Sequence, residues 1–125
     1  MPRFLRWLRA RRFLVAEDSM APTLVPGDCL YVDPRAYRDH PPARGDIVIA
    51  RDPSHPSRQL IKRVGFVPGE LAPPSGAKVP VGTVYLLGDA LERSRDSREF
   101  GPVPVGSIVG RAYCCYRPIE HRRPL

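Results

Sequence analysis

The stretch that decides the fold runs from Gly45 to Phe66: Gly-Asp-Ile-Val-Ile-Ala-Arg-Asp-Pro-Ser-His-Pro-Ser-Arg-Gln-Leu-Ile-Lys-Arg-Val-Gly-Phe. Ile47-Val48-Ile49-Ala50 is short, continuously apolar and β-branched, which fits a core strand. The Pro/Ser/His loop at 52–58 breaks it off, and a second strand follows over 59–66, ended by Pro68-Gly69. In that strand Leu60, Lys62 and Val64 share one face, so a lysine projects from an apolar row.

Outward from this pair the same grammar repeats. Pro22 and Pro26-Gly27 force turns, after which Cys29-Leu30-Tyr31-Val32 reads as a strand. A polar loop at 34–44 closes on the turn Arg44-Gly45-Asp46, and a Pro/Gly-rich stretch reaches about residue 82. Thr83-Val84-Tyr85-Leu86-Leu87 is another strand, a long polar loop spans 88–106, and a last strand covers Ser107–Tyr116. With 16 prolines in 125 residues and only short apolar runs, the chain should be one mostly-β domain of brief strands and tight turns.

Residues 1–13 stand apart. Phe4, Leu5 and Leu8 fall on one helical face with Trp7 beside it, among Arg3, Arg6, Arg9, Arg11 and Arg12. This predicts a short basic N-terminal helix, either solvated or resting on an anionic membrane surface. The chain thus divides into a basic segment (1–16), a main domain (17–117) and a basic tail (118–125). No window approaches the 18 or so apolar residues of a membrane span, and no apolar run precedes a small-residue cleavage site. A soluble or surface-attached protein is expected.

The 20 basic residues include two lysines, Lys62 and Lys78, leaving 18 arginines, and net charge is +7. The arginines are scattered except at the ends, and no aromatic-rich strand accompanies them, so nucleic acid is not an expected partner. Cys29, Cys114 and Cys115 make neither a metal pattern nor a disulfide framework; Cys29 and Cys115 suit a core. His40, His55 and His121 lie far apart without zinc spacing. No metal or cofactor is expected.

The chemistry concentrates in three segments: Glu17–Asp28 around Ser19, Gln59–Phe66 around Lys62, and Gly88–Arg98 with Ser94, Asp96 and Arg98. A serine hydroxyl becomes a useful nucleophile only when a base takes its proton. An ordinary lysine is about 0.1% neutral at pH 7.5, but burial among apolar groups lowers its pKa and makes it a base. Pro22 fixes the backbone after Ser19, and Gly27-Asp28 turns the chain onward, so the Ser19 N–H can face a developing oxyanion. Together the segments suggest a serine hydrolase with a lysine base.

Four ordered segments carry a family resemblance. Ser19-Met20-Ala21-Pro22-Thr23-Leu24 with Gly27-Asp28 resembles the serine box of the type I signal peptidases, S26-type Ser/Lys peptidases. Arg44-Gly45-Asp46-Ile47-Val48 resembles their next box. Lys62-Arg63-Val64 with Pro68-Gly69 resembles the lysine box. Gly88-Asp89 with Ser94, Asp96-Ser97-Arg98, Gly101 and Val103-Pro104 resembles the last. The resemblance implies a coiled β-barrel or sheet. It also implies Ser19 as nucleophile, Lys62 as general base, Ser94 holding the lysine amine, and an Asp96–Arg98 ion pair beneath the site. Met20 and Pro22 would touch substrate, and cleavage would follow small residues such as alanine.

Departures from the pattern are informative. Glu17 stands where many members carry a serine that donates to the oxyanion, and an ionised carboxylate cannot donate. Ala90 replaces the asparagine common after Gly-Asp. Eighteen residues, five of them arginines, precede Ser19 where a membrane-spanning helix is usual, and only 25 residues separate Lys62 from Gly88. The expectation is a minimal bacterial Ser/Lys endopeptidase, soluble in the cytoplasm or peripheral to the membrane, that removes an N-terminal leader or signal peptide from a precursor. Alternatives are a soluble maturation protease of the nickel superoxide dismutase type, or a non-catalytic basic binding module. A self-cleaving repressor would need a DNA-binding domain that 18 residues cannot supply.

Overall fold

The computed structural model describes residues 10–125. The main strands are β1 (Arg11–Leu14), β2 (Cys29–Asp33), β3 (Ile47–Arg51), β4 (Gln59–Phe66), β7 (Thr83–Leu87) and β9 (Ile108–Arg117). Shorter ones are β5 (Leu71–Ala72), β6 (Ala77–Lys78), β8 (Val103–Pro104) and β10 (Arg123–Pro124), and a single helical turn, α1, covers Ser97–Phe100. The large sheet has the order β1-β2-β9-β3-β4-β7-β8, with β10 added on β9, while β5 and β6 form a separate hairpin. Every paired neighbour is antiparallel. The mostly-β expectation holds.

β3 shows why these residues make these strands. Its alternation sends Ile47 and Ile49 to one face with Leu30, Val32, Met20 and Leu24, and Val48 and Ala50 to the other with Val64, Val84 and Leu86. Both faces are covered, so all four residues are buried and the run reads as continuously apolar rather than alternating. Val48 faces Lys62 in register across β3 and β4. Lys62 therefore rises from the second of these apolar faces.

Two features of β4 shape the site. Its register against β7 slips between Val64 and Phe66, at Gly65. A Cβ on Gly65 would sit 2.6 Å from Leu87 Cδ1, so any larger residue there would have to push the Leu87 side chain aside. Pairing with β7 begins at Arg63, whereas pairing with β3 runs from Gln59 to Arg63. Among the described residues, 59–62 are thus bonded to a strand on one edge only, which leaves the other edge open.

The structure corrects the N-terminal expectation in part. Arg11, Arg12 and Phe13, read as the end of a helix, lie in β1, opposite Val32, Tyr31 and Leu30. Sheet pairing supplies hydrogen bonds that a few residues of helix could not match. The apolar face of Phe4, Leu5 and Leu8 lies outside the described residues. At the other end, Arg123 and Pro124 pair with Cys115 and Cys114, so both flanking segments contribute strands. Among the described residues no helix is long and apolar enough to cross a membrane.

Candidate active site

Ser19 lies in the turn between β1 and β2, and the turn is anchored from below. Met20 and Leu24 are fully buried in the core on either side of Pro22, and Leu24 N–H donates to the Met20 carbonyl at 3.0 Å. Gly27, at φ +97°, makes the reversal that leads into β2. Ser19 itself is 5% exposed, and its carbonyl accepts from Ala90 N–H at 2.9 Å. Gly88 lets the two loops come this close. A Cβ there would meet the Ser94 side chain and would sit 2.6 Å from the Ser19 carbonyl oxygen.

Lys62 is 3% exposed, and its Nζ donates to Ser94 Oγ at 3.1 Å. Burial lowers its pKa below the ordinary 10.5; Asp96 and Glu17 oppose that shift, while Arg95 and Arg98 add to it. Asp96 is buried at the N-cap of α1 and accepts from Arg98 N–H and Gly88 N–H. The Arg98 guanidinium grips it as a fork, Nε to Oδ1 at 2.9 Å and Nη2 to Oδ2 at 3.1 Å. Burial pushes the Asp96 carboxyl up, but the bonds from Arg98, Gly88 and Ser94 outweigh it and hold the group below the usual range.

The structure thus brings Ser19, Lys62, Ser94, Asp96 and Arg98 into one neighbourhood. Ser19 and Lys62 line a common cleft of about 270 Å³, walled by Glu17, Asp52, Arg95 and the open edge of β4 around Leu60. The amine's hydrogen bond runs to Ser94 rather than to the Ser19 hydroxyl. Met20 and Pro22, expected to touch substrate, do not line this cleft. Met20 is a core anchor with no exposed surface, and Pro22 is an exposed residue beside a separate hollow near His121.

Two supporting clusters escaped the sequence reading. Asp89 joins three of the motif segments: it accepts from Thr23 Oγ1 at 2.6 Å and from Arg63 Nε and Nη2 at 2.9 Å each. Burial raises the Asp89 pKa less than Arg63 and Thr23 lower it, so it is held ionised. Asp52, 2% exposed, takes a bidentate bond from Arg95 at 3.0 and 3.1 Å and fixes the loop that borders the cleft. Thr23 and Asp89 lie 66 positions apart, and no local signal announces such a contact. At the back of the serine turn, buried Asp28 bonds His121 Nδ1 at 2.6 Å, and Arg123 donates to the Thr23 carbonyl. Among the described residues no group of three or more His, Cys, Asp or Glu could hold a metal ion.

A hydroxyl held by its backbone and a desolvated amine thus open on the same cleft. The family model described as "Signal peptidase, peptidase S26" matches residues 3–73 and 70–117. The "Mitochondrial ATP-independent inner membrane protease subunit 1b" of Arabidopsis thaliana is 41% identical over 118 residues, covering 86% of this chain and 70% of that protein. The "Signal peptidase I" of Leptolyngbya laminosa is 31% identical over 148 residues, covering 93% of this chain and 73% of that protein. A crystal structure of a signal peptidase I from Enterococcus faecalis superposes with a TM-score of 0.49 at 23% identity, over 56% of this chain and 95% of that one. The chain belongs to the signal peptidase family, peptidase S26.

Proposed function

We propose that this protein is a serine endopeptidase that removes an N-terminal leader from a precursor protein, with Ser19 as nucleophile and Lys62 as general base. The observation that carries the assignment is the buried Lys62 amine, held by Ser94 in the cleft that Ser19 also lines. A buried lysine with a single hydroxyl partner is costly for the fold, and a base is the use that justifies the cost.

In the reaction the neutral Lys62 amine takes the proton of Ser19 Oγ as that oxygen bonds to the scissile carbonyl carbon. The C–N bond then breaks, the ammonium returns its proton to the leaving amine, and an acyl-serine remains. Water, deprotonated by the same amine, hydrolyses the ester and restores both groups. Ser94, Asp96 and Arg98 are positioning residues: Ser94 aims the amine, and Asp96 holds the Gly88 loop on which Ser94 depends. The open edge of β4 offers backbone groups to an extended precursor segment beside Ser19.

The relatives named above are a signal peptidase and an inner membrane protease subunit, and they give the nickel superoxide dismutase alternative no support. A purely basic binding module would have no need to bury Lys62. The test is cleavage of a leader-type peptide by Ser19→Ala and Lys62→Arg, alongside the parent. Both variants should be folded and inactive, because the first lacks the attacking oxygen and arginine does not deprotonate in a protein. Near-parental cleavage by Ser19→Ala overturns the nucleophile, and cleavage by Lys62→Arg overturns the base.

A further inference from the structure

The cleft holds six charged side chains: Glu17, Asp52, Arg58, Lys62, Arg93 and Arg95. Most are already satisfied. Asp52 and Arg95 form their bidentate pair, and Arg93 pairs with Asp18 at 2.9 Å. Lys62 is the buried base. Among the described residues, Glu17 and Arg58 make no ion pair, and both are exposed. Of these two, Glu17 is nearer the chemistry. It stands two residues before Ser19, and its charge, after that of Asp96, is the one that most opposes the loss of the Lys62 proton. Arg58 is not among the groups that most affect Lys62.

We propose that Glu17 is a selectivity residue of this cleft, an open carboxylate that receives an arginine or lysine side chain of the precursor close to the scissile bond. The proposal rests on the reading that the cleft receives a precursor segment. Unpaired carboxylates usually face bulk water, where nothing is gained by burial. Glu17 instead borders a concave wall that an extended chain would cover, and covering it without a cation would strand its charge against a dry surface. A cation arriving there also cancels the field by which Glu17 holds the proton on Lys62. The substrate favoured by pairing is therefore the one for which the base is most easily freed.

The experiment uses fluorescent alanine-rich decapeptides carrying one Arg, Gln or Glu walked along the sequence, with binding read by anisotropy on the inactive Ser19→Ala protein. At one or two adjacent positions the Arg peptide should bind about two- to fivefold more tightly than the Gln peptide, the range open to a partly exposed ion pair. The preference should shrink as salt rises past about 0.15 M. It should vanish in Ser19→Ala/Glu17→Gln and reverse toward Glu in Ser19→Ala/Glu17→Lys. Equal binding of the three peptides, failure of all to bind at low salt, or a preference that survives Glu17→Gln overturns the proposal. A Glu preference erased by Arg58→Gln overturns it in favour of the opposite wall. An Arg preference that depends on Glu17, in a parent enzyme that cleaves none of the peptides, keeps the binding role and overturns the protease reading instead.

Discussion

Replacing Gly88 by alanine adds one methyl group at the point where the serine loop and the Ser94 loop touch. The added carbon would meet the Ser94 side chain and lie 2.6 Å from the Ser19 carbonyl oxygen, where ordinary contact needs about 3.5 Å. Neither neighbour can yield without consequence. Turning Ser94 aside breaks its 3.1 Å bond with the Lys62 amine. Moving the Ser19 carbonyl stretches the 2.9 Å bond from Ala90 N–H and carries the hydroxyl with it. Overpacking of this kind costs about 1–3 kcal/mol. In a urea titration that lowers the midpoint by on the order of 1 M. Activity should suffer far more, because a displacement of about 1 Å at reacting groups can cost about 100-fold in rate. The assay is kcat/KM on a leader-type peptide beside the urea midpoint, with Gly106→Ala as control, since a Cβ at Gly106 meets nothing within 4 Å. Near-parental kcat/KM for Gly88→Ala refutes the reasoning, as does an equal loss in both variants.

Two further predictions concern pH. The folded Asp96 carboxyl sits below its ordinary 3.8, so the stability it contributes is present above that value and is lost as pH falls through the folded pKa. The stability gap between the parent and Asp96→Asn, from urea unfolding, should therefore narrow on acidification below pH 4, and a constant gap refutes the assignment. Lys62 has the opposite sense. Its folded pKa lies below 10.5, so between the two values the unfolded chain binds the extra proton and stability rises with pH. Lys62→Met should be folded, more stable than the parent at neutral pH, and lacking that rise; a melting temperature several degrees lower would mean the amine is structurally paired instead.

The strands were legible where burial on both faces left an unbroken apolar run. β4 and β7 fall where their residues suggest, at 59–66 and 83–87, and β3 extends one residue past Ala50. The single turn of α1 was not, although Asp96-Ser97-Arg98-Glu99 carries an N-cap aspartate followed three residues later by glutamate. Among so many polar residues that short signal was absorbed into a loop. β1 was misread because Arg11-Arg12-Phe13-Leu14 is too short to show a period of its own, and only the approach of β2 decides its conformation. Ser19 and Lys62 stood out because each lies in a segment with its own turn or strand logic, whereas the roles expected of Ser94, Asp96 and Arg98 came from the family resemblance. Asp89 sat in plain view within Gly88-Asp89, yet its role lies in partners 26 and 66 positions away, which local pattern does not encode.

β9 is the strand on which the rest depends. It alone lies between β2 and β3, so without it the β1-β2 pair, with the serine turn between them, has no strand connection to the β3-β4-β7 part that carries Lys62. Every residue assigned to the chemistry precedes position 99, while β9 begins at Ile108. In chain order, then, the residues assigned to the chemistry all come before the strand that joins the two parts of the sheet. The serine turn and the strand that carries Lys62 are held in one sheet only once β9 is in place, and β9 contains none of those residues. Contacts closed over so long a span are slow to form, which places the joining of the two parts late in folding.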